Sequence, residues 1–439
     1  MSVSVSPQKR KEILDALRRG TVPQYGLDAL AVGLGKFEAA LSEDLERVAT
    51  GAAVFKSIRG DYGCGKTFLA RWLQDRALKR GFAVTEVQIS ETETPLHRLE
   101  TVYRRLMERL RTSDAAQGGF RSIIDAWFFA LEEDVLAAGT GADESSLLAK
   151  TDELVEQRLA SVSRTTPMFA LALRAYRKAM AGQQRAIADG ILAWLSGQPS
   201  VGAEAKRAAG VRGDVDHFAA LGFLQGLLAL LKDSGFPGLL VVLDEVETLQ
   251  RMRGDVREKA LNALRQLIDE IDAGRFPGLY LVITGTPAFF DGPQGIQRLQ
   301  PLAQRLHVDF TTDARFDNAR AVQLRLQPFS FESLVEVGKR VRDLYAQGAK
   351  DPESLVQRAD DSLLGSLATG VAGKLGGKVG VAPRIYLRKL VGDLLDRIDQ
   401  HADFDPRRDY TLTLSATEMN ATEQSASGVA SVDDIELKL

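Results

Sequence analysis

The chain has 439 residues, a length for two or three domains at about 100–200 residues each. Hydrophobic residues make up 45% and charged residues 26%, the composition of a soluble globular protein with a sizeable core, and a formal net charge of -3 excludes a globally basic nucleic-acid binder while leaving room for a local basic patch. A single cysteine, Cys64, excludes an intramolecular disulfide, and its combination with four scattered histidines (His97, His217, His307 and His401) argues against a zinc cluster. Residues 1–6 lack the charged-then-apolar pattern of a signal peptide, and no run approaches the roughly 20 apolar residues that span a bilayer, so a cytoplasmic location without membrane contact is expected.

In chain order, residues 8–19 read as a charged helix, broken by Gly20-Thr21-Val22-Pro23. A second helix is predicted over 37–48, with Leu41, Leu45 and Val48 on one face. Val54–Ile58 is a short apolar strand ending in Arg59-Gly60, residues 68–79 read as a helix, and 82–89 alternate like a strand. Residues 95–235 contain no convincing strand. Helical spacing recurs over 96–110, 122–136, 153–162, 168–180 and 186–195, and again over 217–232. This stretch is predicted to be a long helical insertion. Its apolar spacing is that of a core and carries no readable chemistry. A continuous apolar run at 238–243 then suits a buried parallel strand, followed by a helix over 256–271 and a strand over 279–283. Residues 307–310 suggest a short fifth strand. The chain is again helical from about 330 to 398, and 417–439 read as a polar, flexible tail.

The chemistry begins at Gly60-Asp61-Tyr62-Gly63-Cys64-Gly65-Lys66-Thr67, a GxxxxGK[ST] loop between a strand and a helix. Its glycines allow a tight nest of backbone N–H groups aimed at phosphates, and the following helix adds its positive end. Lys66 can reach the β- and γ-phosphates, Thr67 can ligate Mg2+, and Phe68 follows at the start of the helix. ATP and Mg2+ are therefore the expected cofactors. Cys64 is read as a small spacer; a redox-sensing thiol beside Lys66 is the alternative.

Asp244-Glu245 ends the apolar strand. Asp244 is placed to hold magnesium, as the Walker B position does, and Glu245 to polarise an attacking water. Glu247 extends the acidic stretch and ranks as secondary. Thr284 could orient that water, or Thr284-Gly285-Thr286-Pro287 could simply be a turn. Arg305 and Arg384 could neutralise phosphate charge, one of them from a neighbouring subunit; most of the 56 Lys and Arg must nevertheless be solvated surface.

Together with Gly238–Glu247 and the Gly-Thr-Pro-Ala-Phe-Phe segment at 285–290, these motifs resemble the BREX-system ATP-binding family, BrxD-like, which is related to the origin-recognition branch of AAA+ proteins. Residues 18–23, 302–306, 325–329 and 382–388 add to the resemblance, which covers roughly 10–400. It implies an α/β P-loop NTPase core with a parallel sheet, a helical insertion between the second strand and the Walker B strand, and a C-terminal helical lid. Its expected divisions are 1–94 and 236–327 for N-terminal helices and core, 95–235 for the insertion, 328–400 for the lid, and 401–439 for the tail. It further implies that Thr284 is a first sensor, Arg305 an arginine finger, and Arg384 a second sensor on the lid, with Val22 and Pro23 beside the adenine. Bacterial defence against phage, with a helicase as partner, is the implied setting. The branch usually carries a winged-helix domain after its lid. Residues 401–439 are too few for one, which speaks against sequence-specific DNA binding.

The expected function is an ATPase coupled to a DNA-processing partner. An arginine finger acting in trans would make it a homo-oligomer. Two other readings compete: a nucleotide-dependent switch or scaffold with negligible turnover, against which Glu245 argues, and direct DNA binding through Arg104, Arg105, Arg109 and Arg111, or through Lys374 and Lys378.

Overall fold

Five runs become strands in the computed structural model, which describes residues 5–139, 144–377, 380 and 382–427. They are β1 (Val54–Arg59), β2 (Ala83–Gln88), β3 (Leu239–Asp244), β4 (Leu279–Gly285) and β5 (Gln323–Arg325). All pair in parallel, in the order β2-β3-β4-β1-β5. Every strand therefore ends at the same edge of the sheet, where ligands of open α/β sheets bind. The residues of β3 and β4 are buried throughout, which explains their unbroken apolar sequences.

Alternation along the strands divides the core in two. Val84, Leu240, Val242 and Val282 face helices Gly35–Ala49 and Lys66–Lys79, which contribute Phe37, Leu45 and Trp72. Val87, Val241, Leu243 and Ile283 face the other way, onto helix Gly254–Asp272 and the helices between 99 and 233. The helical insertion thus shares one face of the sheet with helix Gly254–Asp272. Its Trp127, Phe169 and Phe223 belong to one continuous core with β3 and β4. A third cluster joins helix Pro7–Arg18 to the helices of 331–400 through Ile13, Leu17, Val341, Leu364 and Leu390. Arg18 reinforces that union with two hydrogen bonds to Asp396, both 2.8 Å. The first helix accordingly packs with the C-terminal helical unit and not with the sheet.

Two expectations are corrected. Residues 307–310 form no strand; the fifth strand is Gln323–Arg325, whose Leu324 pairs with Ile58 of β1. His307 and Asp309 are exposed, and Phe310 instead lies under the guanidinium groups of Arg59 and Arg325, each 4.8 Å from its ring centre. Residues 417–427, expected in a flexible tail, are largely taken up by the helical turns Ala416–Glu418 and Ala421–Ser427. They are tied down by Arg384 and Lys389, which bond to Glu423 and Glu418. The remainder of the tail lies outside the described residues.

Candidate functional site

The turn from β1 into helix Lys66–Lys79 requires glycine for local reasons. Gly63 and Gly65 have φ of 84° and 95°, where a side chain is disfavoured. At Gly60 a Cβ would lie 2.4 Å from Cys64 Sγ and 3.2 Å from Leu326. Cys64 itself is buried, and desolvation pushes its thiol up to about 11, so it packs under the loop as a neutral spacer. The thiolate that a redox sensor needs is disfavoured there.

Lys66 is 8% exposed. Its Nζ donates to the carbonyls of Gly60 (2.8 Å) and Asp61 (3.2 Å) and sits 5.0 Å over the Tyr62 ring. Thr67 Oγ1 donates to Asp244 Oδ2 at 2.9 Å, although 177 residues separate them. Thr284, at the end of β4, donates its hydroxyl to Asp244 Oδ1 and accepts the Glu245 N–H at 3.1 Å. Burial pushes the Asp244 carboxyl above the usual range, against the pull of these hydroxyls. The cluster offers carboxylate and hydroxyl oxygens, the hard donors that Mg2+ prefers, around a buried acid; it fits that ion.

Glu245 adopts φ 58°, an uncommon conformation for a residue with a side chain and one that concentrates at functional sites. Its Oε2 accepts from Gln88 Nε2 at 2.7 Å. Gln88 ends β2 and is in register with Asp244 on the neighbouring strand. That position at the shared edge was the available signal for Gln88, which the sequence reading passed over.

A cavity of about 590 Å³ adjoins these groups, a size common for small-molecule sites. Lys66, Thr67, Glu245 and Glu247 are among its polar lining residues, and Val22, Pro23, Phe68, Phe329 and Leu387 among its apolar ones. Arg71 holds the 22–23 segment in place by donating to Val22 O (2.7 Å) while pairing with Glu86 (2.9 Å). The cavity therefore lies between the sheet edge, the first helix and the C-terminal helices.

The structure brings Arg384 to this cavity but not Arg305. Arg384 Nε donates to Glu423 Oε1 (2.8 Å) and its Nη2 to Glu418 O (2.6 Å). Glu423, only 1% exposed, had no signal in the sequence because the tail around it is polar. Arg305 lies on helix Gln300–Arg305, pairs with Asp269, and is absent from the cavity lining of its own chain. Of the basic residues considered for DNA, Arg104, Arg105 and Arg111 have partners within the chain, whereas Arg109 and Lys374 are exposed. Arg105 pairs with Glu108 (2.9 Å), and Arg111 donates to Gln24 and Gln74 (both 2.9 Å). Lys378 lies outside the described residues. Among the described residues no helix is long and apolar enough to cross a membrane.

The parallel α/β sheet thus carries a glycine-rich loop, a lysine and a buried acid at one edge. The family model described as BREX system ATP-binding protein BrxC/D matches residues 5–414, and the chain belongs to that family. No curated protein and no solved structure matched the chain.

Proposed function

We propose that the cavity binds ATP with magnesium and hydrolyses it, and that this P-loop NTPase of the AAA+ type drives a DNA-processing partner, such as a helicase, in BREX antiphage defence. The observation that carries the reading is the meeting of Thr67, Asp244 and Thr284 from three strand ends, next to a cavity that Lys66 and Thr67 line. The family name supports the nucleotide and the defence setting.

In this reading Gly60–Thr67 is the Walker A loop and Asp244 the Walker B acid. The apolar lining residues receive the base beside Val22 and Pro23. Lys66 leaves the carbonyls of Gly60 and Asp61 for the β- and γ-phosphates. Thr67 and Asp244 would hold magnesium, which supplies charge neutralisation on the phosphates. Thr284 fixes the Asp244 carboxylate, and Glu245 polarises the attacking water once released from Gln88. Arg384 serves as the second sensor on the lid. Arg305 would reach a phosphate only across an interface with a second copy.

ATP turnover and nucleotide binding by wild type, Lys66→Ala and Glu245→Gln, with and without DNA, test the proposal. It predicts weakened binding for Lys66→Ala, and binding without turnover for Glu245→Gln. Unchanged ATP affinity in Lys66→Ala would refute the site. A second reading, a switch with negligible turnover, is favoured by one observation: Gln88 holds Glu245 while Glu423 holds Arg384. Binding without hydrolysis in every condition would select it.

A further inference from the structure

Glu247 lies in the short turn Val246–Arg251 that follows β3. It is 5% exposed, and neither carboxylate oxygen has a hydrogen-bond partner. Its Oε1 lies 3.9 Å from Lys66 Nζ, and the residue lines the same cavity as Lys66, Thr67 and Glu245. A solvated acid after a strand would face outward. This one faces the cavity, beside the lysine expected to bind phosphate.

Burying a carboxylate without donors is costly. Lys66 supplies charge at 3.9 Å, but its hydrogen bonds go to Gly60 and Asp61. No protein group supplies donors to Glu247, and the cavity it lines is a route by which a bound group can supply them. Glu245 differs: its carboxylate already has a donor in Gln88. Burial, opposed by the Lys66 ammonium, also pushes the Glu247 carboxyl up to about 7, where a general base is effective.

We infer that Glu247 is a further catalytic carboxylate of this site, accepting the proton of the water that attacks the γ-phosphate. The inference rests on the ATPase reading above. The water oxygen forms a bond to the γ-phosphorus, and the bond from that phosphorus to the β–γ bridging oxygen breaks. ADP leaves with its electron pair, and the water proton passes to a Glu247 Oε. The proton then leaves to phosphate or to bulk water.

The test is single-turnover hydrolysis of γ-labelled ATP with Mg2+ by the full chain, from pH 5.5 to 9, with ATP and ADP affinities measured alongside. Glu247→Gln removes a buried charge and keeps the shape. It should bind both nucleotides at least as tightly as wild type, hydrolyse about 10²–10⁴-fold more slowly, and lose the acidic limb of the pH profile. Glu247→Asp should retain that limb at an intermediate rate. Hydrolysis by Glu247→Gln within about threefold of wild type, or an unchanged acidic limb, would overturn the inference. So would a wild type that binds ATP and never hydrolyses it, which leaves the binding reading standing. Failure of wild type to bind ATP would refute the ATPase reading itself and the inference with it.

Discussion

Replacing Glu247 by glutamine should make the nucleotide-free protein more stable, and increasingly so as the pH rises. In the folded chain burial raises this carboxyl from 4.5 to about 7. A raised acid favours the folded state while protonated, so its contribution is present below the unfolded value and lost as pH climbs through the folded one. At 1.36 kcal/mol per unit, the full span corresponds to roughly 3 kcal/mol, and the part between pH 5 and 8 to about 2–3 kcal/mol. The group is 5% exposed, so little of this is screened away. Glutamine stays neutral throughout. The stability difference between Glu247→Gln and wild type should therefore grow by about that amount from pH 5 to pH 8, read from urea unfolding of both proteins. A difference that is flat with pH would refute the claim that Glu247 is buried without donors.

Other expectations concern the loop and the groups that hold its partners. Gly60→Ala would drive a methyl to 2.4 Å from Cys64 Sγ, costing about 1–3 kcal/mol and weakening ATP binding; the added change Cys64→Ala should restore part of both, measured by melting and by nucleotide titration. Glu423→Ala should destabilise by about 1–3 kcal/mol, below the figure for a fully buried pair because the Arg384 side chain is 30% exposed, and the double variant Arg384→Ala/Glu423→Ala should recover some of it in a thermodynamic cycle. Gln88→Ala removes one exposed hydrogen bond to Glu245, which should raise ATP turnover by about 2–10-fold without altering ATP affinity. An unchanged rate would show that Gln88 does not restrain Glu245.

Much of this protein is legible in one dimension. The loop 60–67 carries its own requirements, since glycine conformations, a lysine and a hydroxyl at fixed offsets need no distant partner to be recognised. The runs at 239–243 and 279–283 declare buried parallel strands because both their faces must be apolar. β5 was not legible: three residues, alternating with polar neighbours, become a strand only because β1 offers them a free edge. The faces of the sheet were equally hidden, and the insertion reads as separate until Trp127 and Phe223 are seen to share a core with β3.

At the site, sequence alone determined which residue types could meet phosphate and magnesium. Tertiary structure decided which of them meet. Arg384 and Arg305 carry the same guanidinium and the same sequence-level claim, yet one lines the cavity and the other pairs with Asp269. Glu245 and Glu247 are neighbours in a short acidic run; the path of the turn after β3 gives the first a donor in Gln88 and leaves the second buried beside Lys66. Residue identity sets the chemistry a side chain can perform. Its direction, burial and partner depend on chain segments up to hundreds of residues away, and those are settled only when the segments pack.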